Sequence, residues 1–593
     1  MRWRLVVPAV ARTALMAGCS VVDNGLAVRT GIEDVRRTPS QTGRTSGSSP
    51  RSIEERDQML GQMSDHPLTL IHAFNRAERL FAEKTITTLT ATGRERQTYG
   101  EWARRTRRLG GALDALGVAP DARVGTFAWN SARHLELYFA VPCSGRVLHT
   151  LNIRLFPKQV TFIVNHAEDE VVFVDRSLAA TLLPLIADAP AVRHVVVMDD
   201  GAGEVPADDR IIDYEALIGA SPAIDFHVDD ENQAAAMCYT SGTTGHPKGV
   251  VYSHRSTVLH SLGVMLADTL GVSERDTILP IVPMFHANAW GLPYAAAMAG
   301  SALAFPGPQM SPSAIAELIE RERVTLAAGV PTIWTAALDE LHGRDLSALR
   351  AVVCGGSAVP QALSEAYERR LGLPILQAWG MTETSPVGSV CTIKSTLADL
   401  PADELARLRA SQGVPMPLVE ARIVEPGTTH EVAWNGSDHG ELEVVGPWVA
   451  ASYYGAEGDR GASFTKDGWL RTGDVATISP DGYIRLVDRT KDLVKSGGEW
   501  ISSVELENAI MAHPAVLEAA VIAVPDERWG ERPLACVVRA DDHALTADDL
   551  RAFLSSRVAR WWIPERVEFI DEVPKTSVGK FSKKTLRERF GAG

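Results

Sequence analysis

Between residues 67 and 390, apolar strand-like runs alternate with segments of helical periodicity, and this order leaves few folds open. Helical spacing marks 67–82 and 99–116, and β-prone runs follow at 123–128, 170–174 and 194–198. A run at 325–328, a helix over 331–341 and a run at 351–354 repeat the pattern. Strand–helix–strand units put their strands in parallel and their helices on the faces, so parallel sheets covered by helices are expected. From 413 to 484 the pattern changes to short strands and turns, including 440–445 and 482–487, which predicts a small β-rich subdomain. A charged run follows at 488–492. Beyond it the alternation resumes, with a helix over 504–511, a strand over 516–524 and a helix over 547–558. A domain boundary is therefore expected at Asp488, separating 58–487 from 488–593. A chain of 593 residues is long enough for two domains with ample cores.

Charge narrows the function classes. With 59 Lys and Arg against 74 Asp and Glu, the net charge is -15, which leaves no electrostatic footprint for nucleic acid or an anionic membrane surface. No apolar run reaches the roughly 18 residues of a membrane span. The cysteines (19, 143, 238, 354, 391 and 536) lack CxxC or zinc-ligand spacing, as expected of reduced thiols in the cytoplasm. At the N-terminus, basic residues 1–4 precede an apolar stretch, and Met16-Ala17-Gly18-Cys19 resembles a lipoprotein cleavage box. Arg12 interrupts the apolar core that a signal sequence needs. Ser, Thr, Gly and Arg dominate up to about residue 51, so 1–57 is expected to be a disordered extension.

The strongest chemical signal is Tyr239-Thr240-Ser241-Gly242-Thr243-Thr244-Gly245-His246-Pro247-Lys248-Gly249, between two β-prone runs. It is not a Walker loop, because GxxxxGK[ST] is absent and no helix follows directly. The chemistry is related all the same. Glycines let the backbone approach phosphate, hydroxyls donate to its oxygens, and Lys248 adds charge. A plain hairpin turn rarely gathers three glycines, four hydroxyls and a lysine.

On this loop the chain resembles the ANL superfamily of adenylate-forming enzymes, which includes acyl- and aryl-CoA synthetases, peptide-synthetase adenylation domains and luciferases. Within it the sequence is most similar to bacterial medium- and long-chain fatty acyl-CoA synthetases and to methylmercaptopropionate–CoA ligases. The resemblance runs from about Met59 onward. It implies an α/β fold, with a large N-terminal domain of two α/β subdomains plus a small β-rich subdomain, then a small mobile α+β C-terminal domain hinged at Asp488. It also implies ATP, Mg²⁺ and coenzyme A as cofactors and a homodimeric assembly in the cytoplasm.

Further motifs carry the resemblance. Gln377-Ala378-Trp379-Gly380-Met381-Thr382-Glu383 would meet adenine and the α-phosphate, with Glu383 and Thr240 holding Mg²⁺. The commoner form is Gln-Gly-Tyr-Gly, so Ala378 and Trp379 imply altered adenine packing. Cys354-Gly355-Gly356-Ser357-Ala358 would end a strand, open a helix and border both nucleotide and acyl group. Asp474 in Arg471-Thr472-Gly473-Asp474 would accept from the ribose hydroxyls. In the segment 488–501, Arg489, Lys491, Lys495 and Trp500 would approach the nucleotide, and Ser496, Gly497 and Gly498 would line the thiol tunnel. Lys580, in Pro574-Lys575-Thr576-Ser577-Val578-Gly579-Lys580, matches the adenylation lysine, whose charge would stabilise the transition state.

Specificity is expected from Pro283-Met284-Phe285-His286-Ala287-Asn288-Ala289-Trp290. His286 would stand beside the carboxylate and thiol path, and Trp290 would gate an acyl pocket shared with Val330 and Gly355. Residues 329–334, including Trp334, would add lining. No charged side chain stands out for a distal group, so an apolar acyl tail is expected, medium to long. Alternatives are a short acid such as methylmercaptopropionate, carrier-protein loading, or a pseudoenzyme that only binds nucleotide. Lys248, Glu383, Asp474 and Lys580 together speak against the last.

Overall fold

A computed structural model describes residues 61–240, 246–357, 359–456, 461–497, 499–540, 545–575 and 581–591. The extension expected at 1–57 lies outside them. The chain divides into a unit of Met1–Ser64 and a unit of Asp65–Gly593, and the second holds every sheet and helix of the fold described.

Parallel strands buried on both faces need continuous apolar runs. Asp169–Asp175, with the sequence DEVVFVD, is such a run and lies inside a seven-stranded sheet. The order there is 211–213, 194–198, 169–175, 123–127, 147–150, 234–239 and 249–253, parallel except for the last strand. A nine-stranded sheet has a parallel centre formed by 375–380, 351–354, 326–329, 277–280, 302–305 and 85–90, with antiparallel strands at both edges. The non-sequential orders are the signature of crossover helices. These two sheets are the expected α/β subdomains.

The β-rich subdomain is a four-stranded antiparallel sheet of 420–424, 440–445, 470–478 and 484–489. Sheet membership changes after Arg489. The next strand, Val494–Ser496, belongs to a five-stranded sheet that also takes in 499–501, 516–526, 530–539 and 566–569. That sheet and the helices at 503–511, 547–554 and 583–590 make the α+β part.

Three helices differ from their expected limits by more than one residue. Residues 67–82 yield only Ile71–Leu80; the Leu68 amide ahead of the helix donates to the Glu231 carboxylate at 2.8 Å. Residues 547–558 stop at Leu554, where the Ser555 hydroxyl donates to the Ala552 carbonyl at 2.6 Å and offers the backbone an alternative to the next turn. The turn at 354–358 does not open a helix directly; Gln361–Leu371 begins after Pro360. The Cys143, Cys238, Cys354, Cys391 and Cys536 thiols are free and buried. Among the described residues, no helix is long and apolar enough to cross a membrane.

Candidate active site

The loop expected to hold phosphate connects antiparallel strands Ala234–Tyr239 and Gly249–Ser253. Its neck is closed by two bonds: the Thr240 amide donates to the Lys248 carbonyl at 2.9 Å, and the Lys248 amide donates to Thr240 Oγ1 at 3.1 Å. Ser241, Gly242, Thr243, Thr244 and Gly245 lie outside the described residues. His246 stacks on Phe162 at 4.6 Å, Phe162 stacks on His166, and His166 Nδ1 shares a 2.6 Å hydrogen bond with the Tyr239 hydroxyl. The downstream arm is thereby tied to the helix Pro157–Ala167.

The Tyr454 amide donates to the Gly249 carbonyl at 2.9 Å, which brings residue 453 to the loop. The Lys248 ammonium sits 4.5 Å from the centre of the Tyr453 ring, and the Tyr453 hydroxyl donates to Glu383 Oε1 at 2.7 Å. A phosphate-loop lysine and the carboxylate expected to hold the metal thus meet across one tyrosine. Glu383 is buried. Burial, reinforced by the Glu383 charge, raises the Tyr453 pKa, so the phenol stays a donor. Nothing in the spacing of Tyr453 announces this contact, and sequence reasoning missed it.

Gln377–Gly380 occupies the strand Ile375–Gly380, and Thr382 and Glu383 follow in a short turn. Gln377, Ala378, Trp379 and Thr382 are buried. The Trp379 indole N–H donates to Asp474 Oδ2 at 3.0 Å. Asp474 faces Arg489 across the antiparallel pair, and Arg489 Nε reaches Asp474 Oδ1 at 2.7 Å. The fold therefore joins two stations that lie 95 residues apart.

The segment expected to set specificity has an unusual backbone. Ala287, Asn288, Ala289 and Trp290 have φ of 44°, 50°, 49° and 58°, and Gly291 continues at 72°, which makes a left-handed turn. Each non-glycine residue costs roughly 1–2 kcal/mol in this region. Tertiary bonds hold it. The Met284 amide donates to Asn130 Oδ1 at 2.7 Å, and Asn288 Oδ1 accepts from Cys238 Sγ at 3.2 Å. Burial pushes the Cys238 thiol up to about 11, so it remains protonated and able to donate. Half-buried His286 leads into the turn.

The turn delivers Trp290 to Gly355: a methyl group at Gly355 would lie 3.1 Å from Trp290 Cη2 and 2.5 Å from the Ala378 carbonyl oxygen. One at Gly356 would lie 3.4 Å from Val330 Cγ1. Trp290 thus meets Gly355, and Val330 meets the adjoining Gly356. Trp334 does not join them. It is fully buried in the core and donates to the Val353 carbonyl at 3.0 Å, because its helix turns that face inward.

In the C-terminal part, exposed Lys491 sits in the turn after Arg489. Lys495 and Trp500 pair across two short strands, with the ammonium 5.2 Å from the ring centre. Ser496 Oγ accepts from Arg532 at 3.2 Å, and the Gly497 amide donates to the Trp529 carbonyl at 2.7 Å. Gly498 and Lys580 lie outside the described residues. Around the expected hinge, Asp488 accepts from the amides of Arg489 at 2.7 Å and Ser503 at 2.5 Å. Burial raises the Asp488 pKa, and Lys583 partly offsets that rise.

The AMP-binding enzyme family model matches residues 74–454, and the AMP-binding enzyme C-terminal domain matches 505–580. The chain belongs to the AMP-binding enzyme family. This AMP-binding enzyme is 45% identical over 531 residues to a long-chain-fatty-acid–CoA ligase of Thermus thermophilus, covering 89% of this chain and 96% of that one. It is 43% identical over 544 residues to a 3-methylmercaptopropionyl-CoA ligase of Ruegeria lacuscaerulensis, covering 90% and 99%. Its fold is similar to that of ATP-bound MatB from Rhodopseudomonas palustris, with a TM-score of 0.77, 26% identity, and 89% and 99% of the two chains covered.

Proposed function

We propose that this enzyme is an ATP-dependent acid–CoA ligase for medium- to long-chain fatty acids, working through an acyl-adenylate. The observation that carries the reading is the Lys248–Tyr453–Glu383 contact, because it assembles a phosphate cation and a metal carboxylate from segments far apart in sequence. In the first step the acid carboxylate attacks the α-phosphate and pyrophosphate leaves. Lys248, the loop hydroxyls and Lys580 would stabilise the charge on the phosphate oxygens. In the second step the CoA thiolate attacks the acyl carbonyl and AMP leaves. Thr240 and Glu383 suit Mg²⁺, which is held by one or two carboxylates together with substrate phosphates and would supply charge neutralisation there.

The two steps need different surroundings, and a boundary at Asp488 supplies the means. Rotation there would present Lys580 for the first step and 496–498 for the second. The change of sheet after Arg489 supports this boundary. Trp290 against Gly355 supports an apolar acyl pocket gated by that tryptophan. Homodimeric assembly and a cytoplasmic location belong to the same reading and are tested by sedimentation and cell fractionation.

ATP–pyrophosphate exchange over acids from methylmercaptopropionate to palmitate, followed by thioester detection, tests the proposal. Exchange peaking between octanoate and palmitate, with thioester formed, is the expected result. A peak at methylmercaptopropionate would favour the second reading, which the 43% identical relative keeps open. Exchange without thioester, or none with any acid, would overturn the ligase.

A further inference from the structure

Trp379 departs from the commoner tyrosine, and its geometry gives the departure a purpose. A carboxylate offers about four lone-pair directions. On Asp474, Trp379 Nε1 takes one at 3.0 Å and Arg489 Nε takes another at 2.7 Å, one on each oxygen. Two directions are left, which is the number that the two hydroxyls of a ribose need.

The two partners are not equivalent. The Arg489 side chain is 41% exposed, so water competes for its bond. Trp379 and Asp474 are both buried. The indole packs closely on Gly388, where a methyl group would lie 2.7 Å from Cζ3, so a side chain there would displace the ring. A tyrosine would carry its donor at the far end of the ring rather than on the edge that meets Asp474. The Asp474 amide also donates to Thr472 Oγ1 at 3.1 Å, which fixes the backbone under the carboxylate.

We infer that Trp379 is a positioning residue for nucleotide selection: its indole N–H aims the Asp474 carboxylate so that the ribose hydroxyls of ATP find two preset acceptors. The inference rests on the reading of Asp474 as the ribose carboxylate, and it gives Trp379 a task in ribose recognition beside adenine packing.

The test compares KM and kcat for ATP and 3′-deoxyATP in the wild-type enzyme, Trp379→Phe and Asp474→Asn. A second Trp379 variant carries β-(3-benzothienyl)alanine, which keeps the bicycle and lacks the N–H; it covers the case in which Trp379→Phe misfolds. Both Trp379 variants should raise KM for ATP about ten-fold, the scale of one hydrogen bond to a charged group. Both should leave kcat within about two-fold and lose preference for ATP over 3′-deoxyATP. A merely structural defect would raise both KM values equally and keep the preference. Preference retained in both Trp379 variants but lost in Asp474→Asn would overturn the inference and leave the ribose reading standing. A wild-type enzyme that does not discriminate, or an Asp474→Asn variant that still does, would overturn the ribose reading itself.

Discussion

Gly291→Ala should destabilise the protein through a clash that no local feature of the sequence predicts. Gly291 closes the left-handed turn at φ 72°, where an added Cβ is unfavourable by about 1–2 kcal/mol. That Cβ would also lie 2.6 Å from His260 Nδ1 and 2.7 Å from Cε1. The imidazole cannot withdraw easily. Its Nε2 accepts from the Val387 amide at 3.2 Å, and its ring meets Trp448 edge-on at 5.9 Å. Trp448 is itself pinned by its N–H on the Val387 carbonyl at 3.2 Å. Overpacking of this kind costs about 1–3 kcal/mol, so the total is about 2–5 kcal/mol. Gly117→Ala is the control: φ is 65° there, but nothing lies within 4 Å of the new methyl group. It carries the backbone cost alone. Thermal unfolding of both variants against wild type measures the difference. With an unfolding entropy of roughly 2 cal/mol/K per residue, a few kcal/mol moves the midpoint of a chain this size by only a few degrees, so calorimetry in matched buffers is the right assay. Equal shifts for the two variants would refute the steric argument. Because the turn carries Trp290, Gly291→Ala should also change the acid preference in pyrophosphate exchange, whereas Gly117→Ala should not.

Three other outcomes are expected. Burial lowers the His260 pKa to about 3, whereas the unfolded side chain titrates near 6.5; the unfolded state therefore binds more protons, and this contribution is fully present above about pH 6.5 and is lost as pH falls toward 3. Denaturation from pH 4 to 7 should show wild type losing stability relative to His260→Gln by up to about 1.4 kcal/mol per pH unit on the acid side, and parallel curves would contradict the buried neutral imidazole. The comparison must be between the two proteins, since Asp175, pushed up to about 8 by burial, works in the opposite direction over the same range. Tyr453→Phe keeps the ring under Lys248 but leaves Glu383 Oε1 without its donor, and should lower kcat/KM for magnesium–ATP by about ten-fold or more, with unchanged kinetics counting against the contact. Asp488→Pro should spare adenylate formation and impair thioester formation in single-turnover assays; equal loss of both would remove the hinge.

What the sequence by itself determined is what depends on local order. Apolar runs with strand or helix period set the parallel sheets, so Pro331–Leu341 and Ala351–Cys354 could be placed to the residue. Gly, Thr and Lys in one short loop raised the expectation of phosphate chemistry, since those groups need only adjacency to act together. Asp474 and Glu383 were legible only as members of motifs, because a lone carboxylate in a turn has many uses. Tertiary structure decided the rest. It set Tyr453 between Lys248 and Glu383, turned Trp334 into the core, and hung Asp474 on the Trp379 indole. It also holds four non-glycine residues in a left-handed turn, against their own preference. These features depend on which surfaces meet when the sheets pack, and the energy that maintains them comes from contacts between segments remote in the chain.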